Sequence, residues 1–133
     1  MIWAAIRWVL LMFLIAPVME APLVAHLSDP IKPIKSWTGN ASWYGPGFNG
    51  RKTANGEIYS TEALTAAHPN LPFGSLVRLV NPRNGKFVLV RINDRGPYVR
   101  RRIVDLSAAA GRTLNIHKDG LALVRVEVVE PDQ

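Results

Sequence analysis

Cysteine is absent from this 133-residue chain. Its absence excludes a disulfide framework, a thiolate metal site, a cysteine nucleophile and a lipid-modified N-terminal cysteine. Acids are scarce: ten Asp and Glu face sixteen Lys and Arg, a formal net charge of +6. That excess suits a polyanionic partner, whether nucleic acid, anionic lipid or an acidic wall polymer, and composition alone does not choose among them. Repeats and low-complexity tracts are missing too, and only one segment has a helical pattern. A chain of this length has room for one small domain.

The longest apolar run is short. After Arg7, "WVLLMFLIA" spans Trp8 to Ala16, well below the roughly 20 residues of a membrane-spanning helix. It has the size of a signal-peptide core, with Ala21 or Ala25 as the small residue before a cleavage site. Met19 and Leu23 stand where a second small residue is preferred, so an uncleaved N-terminal membrane anchor is the alternative. Residues 1–25 are therefore expected to be a signal peptide or anchor and the protein to be exported, which leaves no nucleic acid among its expected partners. Residues 26–38 contain Pro30 and Pro33 and show no sustained period; they read as an extended tether.

Residues 39–131 change character, with short segments divided by Gly, Pro and Asn. Ser75–Asn81 and Lys86–Asn93 are rich in β-branched residues and flank "PRNGK", where Asn84-Gly85 suits a hairpin turn with positive φ. Leu121–Glu130 alternates, with Ala122, Val124, Val126 and Val128 on one face and Arg125 and Glu127 on the other. Shorter strand candidates lie near Ala41, Leu64 and Ile103. Ser107 is the expected N-cap of the single clear helix, which runs to Leu114. Gly111 within it costs roughly 1 kcal/mol relative to Ala. Six short strands with one or two short helices predict an all-β, closed barrel, because strands so short and apolar cannot be left with open edges.

Three ionisable residues sit in Gly/Pro/Asn-punctuated segments rather than at alternating strand positions: Glu57 in "TANGE", His68 in "LTAAHPNLPFG" and Asp94 in "NDRGP". Each has a plain structural reading. Glu57 can bind a turn amide, His68 can be a satisfied core histidine, and Asp94 can be a turn-former before Gly-Pro. Asp105 stands just before the helix, where a carboxylate favours the helix N-terminus. Trp43 and Tyr44 offer rings to a sugar or to the core. Arg100–Arg102 reads as a solvated loop that attracts anions.

The words "ASWYG", "GRKTANGE", "LTAAHPNLPFGSLVRLVNPRNGK", "VRINDRGPY" and "RIVDLSAAA" follow one another through Gly39–Glu130. Together they resemble the rare lipoprotein A (RlpA-like) family. The resemblance implies a six-stranded double-psi β-barrel in the bacterial periplasm or cell envelope. The activity it implies is that of a septal lytic transglycosylase, cutting peptidoglycan glycan strands and preferring those stripped of stem peptides. It places Asp94, His68 and Glu57 in catalytic positions, with Tyr44, Arg95 and Asp105 expected to bind substrate. No cofactor, no metal and a monomeric state are expected.

Two departures stand out. Ser60 occupies the position, three residues after Glu57, where the family commonly has Asp. The sporulation-related repeat domain by which larger relatives find denuded glycan has no counterpart here, so septal targeting is not assumed. Ser60 favours a competing expectation, a non-catalytic expansin-like glycan-binding barrel, against which Asp94 and His68 stand. Cleaving a glycosidic bond without water asks for an acid at the leaving oxygen and a base at the muramyl C6 hydroxyl. One carboxyl can serve both in turn. Asp94 in that role needs a raised pKa, with Arg95 facing the backbone or the substrate rather than the carboxylate.

Overall fold

A computed structural model describes residues 33–116 and 121–130. The expected leader or anchor, most of the tether and Pro131 lie outside the described residues. Six strands, β1 (Lys35–Trp43), β2 (Thr65–Ala67), β3 (Leu76–Val80), β4 (Phe87–Asp94), β5 (Arg102–Leu106) and β6 (Ala122–Glu130), close into a barrel in the order β1-β5-β2-β4-β3-β6. One 3-10 turn, Pro46–Phe48, and one helix, α1 (Ala108–Thr113), complete the described structure. The pairs β1–β5 and β2–β4 are parallel, while β1–β6, β2–β5, β3–β4 and β3–β6 are antiparallel. This is the closed all-β barrel that the alternating pattern predicts.

Alternation drives the closure. In β4 the side chains of Val88, Val90 and Ile92 are buried, while Phe87, Leu89 and Arg91 face outward. Val77 and Leu79 of β3, Val104 and Leu106 of β5, and Val124 and Val126 of β6 join them in one core, which Ala110 and Leu114 cover from the helix. Burial of each such side chain contributes about 1.5–3 kcal/mol, and the ring of strands leaves no edge to pair elsewhere.

The barrel starts earlier than expected. Lys35–Thr38, assigned to the tether from their composition, pair with Val128, Glu127, Val126 and Arg125 of β6. The reason is physical: β6 is nine residues long and Trp37 packs against the core, so the inward period Trp37, Gly39, Ala41 carries the strand through the boundary. Gly39 is needed for this approach, since a Cβ there would come within 2.6 Å of the Ile103 side chain on β5.

Two further expectations are corrected. In the β3–β4 hairpin Gly85 takes positive φ (74°) and Asn84 does not; Asn84 instead accepts from the Lys86 N–H and donates to the Leu114 carbonyl. Glu127, placed on the outer face of β6, is buried. Burial alone would raise its pKa; hydrogen bonds from Arg125 and Arg78 more than offset this and leave it lowered.

Ser107 caps α1 as expected, its hydroxyl accepting from the Ala110 N–H at 3.2 Å. Trp43 lies against Gly111, where an added Cβ would stand 3.5 Å from the indole Cγ, an ordinary contact. Gly111→Ala is therefore expected to stabilise the domain by about 0.5–1 kcal/mol through helix propensity. Thermal unfolding checks this; a lowered Tm would mean that Trp43 has no room for the methyl.

Candidate active site

The site is built on a register. Ala66 of β2 pairs with Ile92 on one side and Leu106 on the other, all three in the core. Between Ala66 and Ala67 the pairing shifts, so that β4 advances from Ile92 to Asp94 past the buried Asn93. The next row is Asp94 on β4, Ala67 on β2, Asp105 on β5 and Ser42 on β1; Ala67 is buried, and the two acids and Ser42 are half-buried. With neighbouring strands ~4.8 Å apart, the Cα atoms of Asp94 and Asp105 stand about 10 Å from each other across Ala67.

Asp94 is held as an acceptor. Its Oδ2 takes the Tyr44 hydroxyl at 2.6 Å, and its Oδ1 takes the backbone N–H groups of Ala54 and Arg95, both at 2.9 Å. Tyr44 is fixed by an edge-on contact with Tyr59, ring centroids 4.7 Å apart, and a tilted one with Phe48 at 5.6 Å. Burial, then the bond to Asp94, pushes the Tyr44 phenol far above its ordinary pKa, so it remains a donor. The Gly96 φ of 114° follows immediately, a conformation that in practice requires Gly and turns the chain away after Arg95.

The neighbouring arginines do not compete for this carboxylate. Arg91 forms a two-pronged ion pair with Glu57, at 2.5 and 2.9 Å. Arg95 turns to the backbone, donating to the carbonyls of Leu71 (2.8 Å) and His68 (3.3 Å) with its guanidinium 3.8 Å from the Phe73 ring centroid.

Glu57 is a clamp. Beyond Arg91 it accepts from the side chains of Asn55 and Asn93, and the Arg91 bond first of all holds its pKa at about 2. A carboxylate so held does not supply protons near neutrality. It fixes instead the loop whose Ala54 N–H reaches Asp94.

His68 adjoins Asp94 through the backbone, its N–H donating to the Asp94 carbonyl at 3.2 Å. Its ring Nδ1 accepts from the N–H groups of Asn70 (3.2 Å) and Leu71 (3.1 Å), and its face meets Trp37 edge-on at 5.5 Å. Burial, then the charges of Arg95 and Lys35, lowers its pKa to about 4. The imidazole is neutral near pH 7, with its proton on Nε2.

Asp105 corrects an expectation. Ser107 does the capping of α1, and the Asp105 carboxylate accepts from the Ser42 hydroxyl at 3.1 Å. Alternation in β5 turns it away from the core face of Val104 and Leu106 and into the row of Ser42 and Ala67. Burial raises its pKa and the charge of Asp94 adds to this; the Ser42 bond and Arg102 pull the other way without cancelling it. Sequence reasoning passed over Ser42, Arg91 and Tyr59 as partners. The outward period of β4 points to Arg91, and that of "ASWYG" to Ser42, once a register is known.

The solved structures of like shape place the fold in the class of small double-psi β-barrels. They include Streptomyces papain inhibitor (TM-score 0.57, 21% identity, 74% of this chain and 97% of that one). Another is apo expansin from Clavibacter michiganensis (TM-score 0.58, 19% identity, 74% and 52%). At such identity the likeness concerns the fold alone. Within that class the chain belongs to the lytic transglycolase family, which matches residues 36–126.

A probable endolytic peptidoglycan transglycosylase RlpA from Synechocystis is 56% identical over 100 residues, 75% of this chain and 30% of that protein. The endolytic peptidoglycan transglycosylase RlpA of Neisseria meningitidis serogroup A is 53% identical over 96 residues (72% and 40%). That of Pseudomonas aeruginosa UCBPP-PA14 is 52% identical over 95 (71% and 28%). The matched stretch thus makes up 28–40% of these relatives' length.

Two outcomes are expected. With a folded pKa near 4 and an ordinary value of 6.5, the unfolded chain binds the His68 proton first. His68 therefore supports the fold fully above about pH 6.5 and loses that contribution as pH falls toward 4. ¹⁵N NMR should show the Nε2–H tautomer throughout the neutral range; a midpoint at or above 6.5 would refute the assignment. Glu57→Gln should change global stability by less than about 1 kcal/mol, since the pair with Arg91 is exposed. Local opening at Ala54 should nevertheless speed its amide exchange, and unchanged exchange would separate Glu57 from the Asp94 loop.

Proposed function

We propose that this barrel is an endolytic peptidoglycan lytic transglycosylase, acting on glycan strands free of stem peptides. Cleavage falls at the β-glycosidic bond of a muramyl residue, and the C6 hydroxyl of that residue closes onto C1 to leave a 1,6-anhydro end. The observation that carries the reading is Asp94, a carboxylate set at a strand end by Tyr44, Ala54 and Arg95, in a chain whose relatives bear that name. The nucleophile is the substrate's own hydroxyl, so Asp94 acts as the base that accepts the C6 proton. Its negative charge also steadies the cationic character that develops at C1.

The same reading makes the protein a monomer exported to the bacterial envelope, either released or held through the Trp8–Val18 stretch, with no nucleic-acid partner. Among the described residues no helix is long and apolar enough to cross a membrane. Arg100 and Arg101, on the loop between β4 and β5, and Arg102 at the start of β5 are exposed, and they draw the polyanionic wall polymer toward the strand end that carries Asp94.

Mass spectrometry of fragments released from peptide-free sacculi tests this. Anhydro-muramyl ends are expected. Reducing ends would make the protein a hydrolase, and no release would make it an expansin-like binder, the outcome Ser60 favours. Asp94→Asn should keep the fold and glycan binding and lower release by roughly 10²–10⁴-fold; if release continues at the wild-type rate, Asp94 is a turn-former only. Arg100→Ala with Arg101→Ala should weaken binding at low salt and matter less as salt rises, because exposed charges are screened over about 10 Å at 0.1 M.

A further inference from the structure

The base assigned to Asp94 leaves the other half of the reaction without an agent. The leaving oxygen needs a proton, and the residues first considered for that work are engaged. Asp94 has both oxygens occupied by three donors. Glu57 is paired with Arg91, and the His68 ring is turned into its own loop through Nδ1.

We propose that Asp105 is the general acid of the reaction, a catalytic residue that protonates the glycosidic oxygen while Asp94 takes the proton of the C6 hydroxyl. The proposal rests on the transglycosylase reading above and assigns a second reacting group to it. Geometry carries it. Asp105 and Asp94 are the two carboxylates of one row, each half-buried and each paired with Ala67. Their Cα atoms are about 10 Å apart. Glycosidases that admit a nucleophile between acid and base leave a gap between their carboxyls; two strand spacings between the Cα atoms leave room for one here, and the muramyl O6 is what must fit in it.

The surroundings differ as acid and base require. Asp94 receives three hydrogen bonds, Asp105 one, from Ser42 on β1. The groups that act on Asp105 are Asp94 on β4, Arg102 on its own strand, and Ser42; β2 contributes only the methyl of Ala67 beside it. Tyr44 and Tyr59 also lie within its field. Burial and Asp94 favour the protonated form and outweigh Ser42 and Arg102. A carboxyl kept in its protonated form is what a general acid requires.

The step balances. Asp105–COOH gives its proton to the bridging oxygen as the C1–O bond breaks, and the departing sugar leaves with a free hydroxyl. The C6 oxygen bonds to C1, and its proton passes to the Asp94 carboxylate. No water is consumed. Solvent then removes the proton from Asp94 and returns one to Asp105.

Leaving-group ability tests the assignment. On peptide-free glycan Asp105→Asn should cut release of anhydro ends by roughly 10²-fold or more. On a muramyl glycoside with a nitrophenolate leaving group, which departs without an acid, the same variant should fall by less than about tenfold, while Asp94→Asn fails on both. Ser42→Ala removes a bond that favours the ionised carboxyl, so the alkaline limb of the pH–rate profile on natural glycan should move to higher pH, a shift that simple loosening of the fold does not produce. The proposal is overturned if Asp105→Asn cleaves natural glycan at the wild-type rate. It is equally overturned if Asp105→Asn loses both substrates alike, or if Ser42→Ala leaves the limb in place. Wild-type protein that releases nothing from either substrate would instead sink the transglycosylase reading itself.

Discussion

Three residues of strand hold the site together. β2, Thr65–Ala67, is too short to persist alone and exists because β4 and β5 lie on either side of it. Its register sets which side chains face out. A slip of one residue along β5 would turn Asp105 into the core and expel Leu106, which resists with about 1.5–3 kcal/mol of burial. The hydrogen bonds Ser107 N–H to Thr65 O at 3.0 Å and His68 N–H to Asp94 O at 3.2 Å pin both ends of the strand. Packing of the core thus determines the placement of the acids outside it.

The same frame sorts the charges. A basic chain risks pairing every carboxylate with a cation, which would leave no acid free to react. Arg91 is engaged by Glu57, Arg112 by Glu62, and Arg78 and Arg125 by Glu127. Arg95 satisfies backbone carbonyls and covers Phe73. Asp94 is left with a phenol and two amides, and Asp105 with a serine hydroxyl. Neutral donors orient a carboxylate while leaving its proton chemistry available, which a close guanidinium would suppress.

Much of this was legible in the sequence, for reasons that can be assigned. The period-two pattern of β3, β4 and β6 reported both strand and buried face, because each strand has one side in the core. Ser107, three alanines and a polar end gave α1. Asp94 showed itself by sitting in a turn word.

What failed was whatever depends on pairing between distant segments. Asp105 was read through its neighbour in sequence, the helix, when its neighbours in space are Ser42 and Ala67. Glu57 was read as reactive because nothing local reveals that Arg91, thirty-four residues on, faces it. Lys35–Thr38 looked like tether because prolines precede it, and β6, far along the chain, recruits it as strand. Composition speaks for local preference, and register overrides it.

The pairing of β1 with β6 has a wider implication. Lys35 lies opposite Val128, so the chain enters and leaves the barrel side by side. Ser42 is seven residues further along β1, or roughly 23 Å at a rise of 3.3 Å per residue. Topologically the domain is close to a ring: a short linker can join its ends, and the circle can be opened at another exposed turn without parting any pair of strands. Whatever is attached at either end pulls on the same corner of the barrel, remote from the acids. A load applied between those ends peels β1 from β6 one pair at a time, beginning at Lys35 and Val128. Tension on such a tether would reach the row of carboxylates last.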